Sequence, residues 1–339
     1  MRYVRDRRGR GRGPLVAAVA GTALLLGACG AGDSGDPGPS ILPAPATPSA
    51  GEPTGTLIPP TSIDPTSAPP LATSAATATV GGRPQAAPPA QQPGAAPPSA
   101  QPGPGNTGYR HTGVKLQDVR CDNGEFLVDR PGTVIDGKSI PCSVRVAADN
   151  VTISRSLIKT TAAWGIYKLD KYADLKVVDV EVDGGRGCAY GIGFNRVRST
   201  RVDVHGCNDG VHTEQGSVLE NSWIHDLEHT GADGGEPHND GVQSTGSSDI
   251  TIRGNTISNP RHQTSCILIG GEGGAPSNIL IEGNWLDGGN YTIYLDPNGG
   301  NRVIRGNVFA RSFVYGPANV AGQVEWSGNT FAGGGEVKR

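Results

Sequence analysis

"ITIRGNTI" (residues 250–257), "ILIEGNWL" (279–286), "RVIRGNVF" (302–309) and "VEWSGNTF" (324–331) are one pattern written four times. An apolar residue is followed three positions on by Asn and five positions on by another large apolar residue. Looser copies precede them: "VTISRSLI" at 151, "LKVVDVEV" at 175, "RSTRVDV" at 198 and "SVLENSW" at 217. The first column runs Ile153, Val177, Ser199, Val218, Ile252, Ile281, Ile304 and Trp326, at spacings of 24, 22, 19, 34, 29, 23 and 22. No stretch of helical period interrupts these short β-branched runs, which are punctuated by Gly, Asn and Asp.

A unit of about 22 residues cannot bury its apolar face alone, whereas stacked units share one continuous core. The pattern resembles the coils of a right-handed parallel β-helix of the pectate-lyase-like superfamily, over Tyr109 to Arg339. It predicts an all-β solenoid of eight or nine coils, with "GTVIDGKSIPCSVRV" (132–146) supplying the extra coil near the N-terminal end. A leucine-rich repeat is excluded because its L-x-x-L-x-L consensus is missing, and a β-sandwich would not hold this phase over eight units. The column of Asn221, Asn255, Asn284, Asn307 and Asn329 is read as structural, since stacked asparagines bond one another and tolerate left-handed turns.

A second strand per coil contains "AAWGIYK" (162–168), "CAYGIGF" (188–194), "CNDGVHT" (207–213) and "HNDGVQS" (238–244). These align Trp164, Tyr190, Asp209 and Asp240, then a Gly column (165, 191, 210, 241), then an inward column of Ile166, Ile192, Val211 and Val242. The same register puts Cys188 beside Cys207. Coils about 4.8 Å apart lie within reach of a disulfide, so Cys188–Cys207 is expected, with Cys121–Cys142 as a second pair and Cys266 free and buried.

Polar residues concentrate where the apolar pattern loosens. Six of the seven histidines (His205, His212, His225, His229, His238, His262) fall within 58 residues, where even scattering gives about one. The longest spacing holds "HDLEHTGADGGEPHND" (225–240), and insertions in repeat proteins map to loops on one face, often the binding face. A polar loop without a ligand is the bland alternative.

Three functions compete for this cluster. "CNDGVH" and "HNDGVQ" resemble the N-T-D-G-x-D strand of polygalacturonase-type hydrolases, which implies glycoside hydrolysis by Asp209 and Asp240, about one coil apart. The second Asp, the G-H-G and the R-I-K of that family are missing here. Fold analogy with β-helix polysaccharide lyases implies β-elimination or C5-epimerisation of an acidic or envelope polysaccharide, the leading expectation. That chemistry needs a base (His212 or His238), an acid (Tyr190 or Tyr294) and a group that neutralises the uronate carboxylate (Lys168 or Arg261), with Gln243 beside them on the substrate face. Calcium held by Asp209 and Asp240 is the cofactor the pattern allows. Zinc at His225, His229 and His238 ranks below it, because their spacing suits a helix that a Gly-rich loop does not suggest. The third function is noncatalytic glycan binding, with Trp164 and Tyr190 as contact residues.

The N-terminal third sets location. Six arginines in residues 2–12 precede the apolar run "PLVAAVAGTALLLGAC" (14–29), which is too short to span a bilayer and reads as an export signal. Its end, "LGAC", resembles the lipobox of bacterial lipoproteins, which implies cleavage after residue 28 and lipidation of Cys29. Residues 29–108 hold 19 of the 27 prolines and no aromatic residue, the composition of a disordered tether to the membrane. Loss of residues 1–28 removes six arginines and Asp6 and shifts the net charge from −3 to −8. An acidic exported chain without a basic patch argues against nucleic acid as a partner. The expectation is a monomer on the outer face of a bacterial membrane, with polysaccharide as its partner.

Overall fold

The computed structural model describes residues 100–228, 238–260 and 264–339. Successive coils pair strand to strand in parallel, and each full coil contributes three strands, hence three faces. Face one is a nine-stranded sheet running from Val134–Asp136 through Val151–Ser154, Leu175–Val178, Val197–Thr200, Val218–Glu220, Ile250–Arg253, Ile279–Glu282 and Arg302–Arg305 to Glu325–Ser327. Its first strand lies in the extra coil expected from residues 132–146. Faces two and three merge into one seventeen-stranded sheet because Glu181–Phe194 and Asp203–Thr213 run unbroken around the corner between them.

The inward columns are Ile, Val and Leu, almost all with no exposed surface. β-branched side chains suit this position, since each packs on its counterpart one coil away along a pleated wall. On face one the column is Ile135, Ile153, Val177, Ser199, Leu219, Ile252, Ile281, Ile304 and Trp326. Leu219, not Val218, occupies it. The sequence alignment slipped by one residue in this coil, so Asn221 also leaves the expected asparagine column.

The reason lies in the turn between faces one and two. One residue per coil there is left-handed: Arg155, Asp179, Arg201, Asn221, Gly254, Gly283, Gly306 and Gly328, with φ between 44° and 65°. Asn221 aligns with the glycines, as one of the few side chains that accept this conformation at modest cost. The ladder itself runs Asn255, Asn284, Asn307 and Asn329, each Nδ2 donating to the next Oδ1 at 2.9 to 3.0 Å. Ser222 holds the next place, its backbone N–H donating to Asn255 Oδ1 at 2.9 Å.

Both expected disulfides are present, Cys121–Cys142 and Cys188–Cys207, with Cα separations of 6.3 and 4.4 Å. Cys266 is free and buried. Residues 103–113 lie across the early coils: Gly108 N–H donates to Arg201 O, Arg110 makes a two-pronged ion pair with Glu181, and His111 bonds Asp179. At the other end Trp326 Nε1 donates to Val337 O, closing the C-terminal segment onto the last coil.

Candidate functional site

Face three carries the N-D-G-V strands. Trp164 pairs with Tyr190 and Tyr190 with Asp209, and the register of Val211 with Val242 carries the column on to Asp240, which pairs with Ser265. The glycine beside each is a packing requirement. A Cβ on Gly210 would sit 2.4 Å from Ile224 Cγ2, and on Gly241 2.3 Å from Ile257 Cγ2. The backbone therefore presses against face two at this corner, which pins the preceding residue in place on the outer surface.

Asp209 and Asp240 are stacked and nearly sealed, at 3% and 1% exposure. Asp209 Oδ1 accepts the backbone N–H of Asp240 at 2.8 Å, and Asp240 Oδ1 accepts the N–H and hydroxyl of Ser265 at 3.0 and 2.5 Å. Asp240 Oδ2 is buried without a partner among the described residues. Burial, and then the neighbouring Asp240 charge, push the Asp209 carboxyl well above the ordinary carboxylate range. Burial raises Asp240 too, against the opposing bonds from Ser265. Folding therefore favours the neutral form of both carboxyls, the shift that prepares a carboxyl for general-acid work. A cavity of about 150 Å³ lined by Asp240, Thr264, Leu268 and Tyr294 opens beside Asp240.

His212 stands one row further out. Its Nε2 bonds Glu214 Oε1 at 2.7 Å, while its buried Nδ1 has no hydrogen-bond partner among the described residues. Burial opposes ionisation of Glu214, yet bonds from His212, Ser247 and Thr245 outweigh it and hold the carboxyl at about 2. Glu214 thus stays charged and fixes the imidazole. A cavity of about 380 Å³ adjoins them, lined in part by Phe194, His212, Glu214 and Ser247.

The aromatic residues gather on the same face. Trp164 stacks on Tyr190 at 4.2 Å, Phe194 lies 4.5 Å from Trp164, and His212 meets Tyr190 and Phe194 edge-on at 5.6 and 5.0 Å. Burial, then the Asp209 charge, raise the Tyr190 hydroxyl pKa.

Of the residues singled out from sequence, Asp209, Asp240, His212, Tyr190, Gln243 and Tyr294 share face three. Gln243 pairs with His212, and Tyr294 pairs with Leu268 two coils beyond. His238 is exposed, two residues before Asp240, and its carbonyl accepts from Asn208 Nδ2 at 3.1 Å. Lys168 behaves differently from expectation. It is 1% exposed, and its ammonium donates to Leu169 O, Tyr172 O and Asn195 Oδ1 at 3.3, 2.7 and 2.9 Å, so it closes a turn instead of meeting a substrate carboxylate. Burial, with Arg196 nearby, lowers its pKa. Arg261, His229 and His262 lie outside the described residues.

His205 and His225 belong to face two. His225 Nε2 bonds Asp203 at 2.9 Å and its Nδ1 bonds Asp226 at 2.8 Å, while His205 Nε2 faces Glu181 at 3.5 Å. Each imidazole is balanced by a carboxylate, and among the described residues no group of three or more His, Cys, Asp or Glu is arranged to hold a metal ion. Sequence reasoning missed Glu214, Ser265 and the second tyrosine group, Tyr291 and Tyr315. Ser265, Tyr291 and Tyr315 were readable only once the register beyond residue 244 was fixed, and Glu214 lies just past its strand, where the column pattern ends.

A family model described as a right-handed beta helix region matches residues 190–336, which include both N-D-G-V strands. The chain folds as a right-handed parallel β-helix. No curated protein and no solved structure matches it.

Proposed function

We propose that this β-helix is an exported, lipid-anchored, carbohydrate-active enzyme that hydrolyses glycosidic bonds on face three with the Asp209–Asp240 pair. The observation that carries this reading is the pair itself: two carboxyls in adjacent coils, both with raised pKa, one beside a cavity and with an oxygen that has no partner among the described residues. The protonated member donates its proton to the leaving glycosidic oxygen as the C1–O bond breaks. The ionised member takes a proton from the water whose oxygen bonds C1, so one water is added across the broken bond and the two carboxyls exchange protonation states. The aromatic group of Trp164, Tyr190 and Phe194 offers the apolar surface on which sugar rings stack. Support also comes from the likeness of N-D-G-V to the polygalacturonase-type strand and of the coils to the pectate-lyase-like superfamily.

Elimination or epimerisation of a uronate needs a cation at the substrate carboxylate. Of the two cations the sequence offers for that role, Lys168 is engaged by three oxygens and Arg261 lies outside the described residues, so the hydrolytic reading rests on the acid pair itself. The test incubates the full chain with neutral and uronate polysaccharides and follows reducing ends together with the ultraviolet absorbance of unsaturated uronates. Reducing ends without that absorbance, abolished in Asp240→Asn, are expected. Absorbance growing with the reducing ends would restore the lyase, and retention of polymer without either signal would leave a binding scaffold.

A further inference from the structure

The outer side of face one carries charge in two columns that follow different rules. The column nearer the asparagine turn runs Glu220, Arg253, Glu282 and Arg305 through successive coils, so each charge has its opposite in register. Arg253 bonds Glu220, and Arg305 bonds Glu282 at 2.6 Å. Two residues earlier in each strand the outer column reads Thr152, Lys176, Arg198 and Val218, and here two cations are direct neighbours. Like charges one strand spacing apart, about 4.8 Å, repel. No other register pair in this nine-stranded sheet joins like charges among the described residues.

A cavity of about 300 Å³ opens over the two cations, lined in part by Asn150, Thr152, Asp174, Lys176 and Arg198. Lys176 and Arg198 are exposed, and neither has an ion pair or a side-chain hydrogen bond among the described residues. The side chains of Asn150 and Thr152 are likewise without a hydrogen-bond partner there. Elsewhere the same corner is tied side chain to side chain. Asn150, Asp249, Asn278 and Asn301 are all left-handed turn residues, yet Asn278 Nδ2 donates to Asp249 at 2.8 Å and Asn301 Nδ2 to Asn278 at 2.7 Å. Asp174 is the one acid of the lining, and it comes within 4.0 Å of neither cation as an ion pair. Two cations, an amide and a hydroxyl around one opening offer more donors than the two oxygens of a carboxylate can use. They suit a compact oxyanion with three or four acceptor oxygens.

We propose that this opening on face one is a binding site for a phosphate group, seated between Lys176 and Arg198 with Asn150 and Thr152 donating to its remaining oxygens. The bound charge would offset the repulsion between the two cations. Face one is a different wall of the solenoid from the one that carries Asp209 and Asp240, so the site stands or falls apart from the reading of that pair. Free phosphate and the phosphate of a lipid headgroup share this chemistry, and the experiment separates them.

The melting temperature of the full chain is followed during titration with inorganic phosphate, and with chloride and acetate matched in ionic strength. Phosphate is expected to raise it by about 3 °C at ten times a Kd on the order of 1 mM, with the matched salts nearly inert. Lys176→Gln and Arg198→Gln, both at exposed positions, should each weaken the phosphate response by at least about tenfold in concentration. In low salt without phosphate each should be no less stable than the parent, because one of two repelling charges is gone. Equal responses to phosphate and chloride, a stronger response to acetate, an unchanged phosphate response in both variants, or a loss of stability in both without phosphate would each overturn the proposal. Sedimentation with phosphatidylglycerol and phosphatidylcholine vesicles, on the full chain carrying Cys29→Ser, then names the source. Retention on phosphatidylglycerol that falls with Lys176→Gln upholds the site with a lipid headgroup as its ligand, and a phosphate response without such retention upholds it with free phosphate.

Discussion

At Asp209 and Asp240, the proposed chemistry and the stability of the fold pull in opposite directions. Each carboxyl has its pKa raised by folding, so the folded state prefers the protonated form. Stability from this pair is fully present below the unfolded carboxylate value near 4 and is lost as pH rises through the raised folded values. Asn keeps an Oδ1 able to accept the N–H groups of Asp240 and Ser265, so Asp209→Asn with Asp240→Asn should flatten that loss and add about 2 kcal/mol at pH 8, read from urea unfolding across pH. Hydrolysis by the same variant should fall by at least about 10²-fold. A variant that loses activity without gaining stability at high pH would show that the pair is not strained by burial. Glu214 has the opposite sign, because its carboxyl is held at about 2. It stabilises the fold above the unfolded value near 4.5, and that contribution disappears as pH falls toward 2, so Glu214→Gln should reduce the acid sensitivity of the melting temperature. Asp209 and Asp240 were visible in the sequence because the glycine after each has to meet face two, which fixes the register. The partner Glu214 was hidden because nothing in a single strand reveals that a loop residue will bend back onto His212.

Each coil is held by elements that the sequence showed with unequal clarity. The asparagine column could be read directly for Asn255, Asn284, Asn307 and Asn329, since Gly-Asn recurs at constant phase. It failed at Asn221, where a shorter coil and the interchangeability of Asn and Gly in a left-handed turn slid the alignment by one residue. Asn284 donates to Ile252 O and Asn307 Oδ1 and accepts from the N–H and Nδ2 of Asn255, all within 3.0 Å. Asn284→Ala leaves buried donors and acceptors on both neighbouring coils unsatisfied, so a loss of about 2 to 4 kcal/mol is expected in urea unfolding. Asn221→Gly, by contrast, should be nearly neutral, and a large loss there would contradict its placement in the turn column. The Cys188–Cys207 bond joins adjacent coils just before the acid pair. Its loop of 19 residues makes a contribution of about 3 kcal/mol through the unfolded chain. Replacing both cysteines by Ser should cost about that much while Asp240 and Ser265, one and two coils further on, keep their pairing.

The whole molecule joins a solenoid to a long N-terminal segment of opposite composition. The solenoid could be read from sequence because every coil must repeat the same inward column to share one core, and that constraint leaves a periodic trace. The function left a fainter trace, because the outer columns are free to change from coil to coil. Trp164 and Tyr190 stood beside the Asp pair in the alignment, but that Tyr291 and Tyr315 lie on the same face, four and five coils away from Tyr190, is visible only in the register. The proposed function also depends on where the chain is held, which the sequence of its N-terminal segment bears on. Residues 29–108 are rich in Pro, Ala, Ser and Thr and poor in charge, and the "LGAC" at their start resembles a lipobox, the basis of the proposed anchor. If Cys29 carries the anchor, Cys29→Ser should move the protein from the membrane fraction to the medium of a bacterial host, while leaving hydrolysis of soluble polymer unchanged. Activity on envelope-bound polymer should then fall, because the anchor no longer holds face three at high local concentration beside it. Membrane retention of Cys29→Ser after washing with high salt would rule out the lipid anchor and point to another means of attachment.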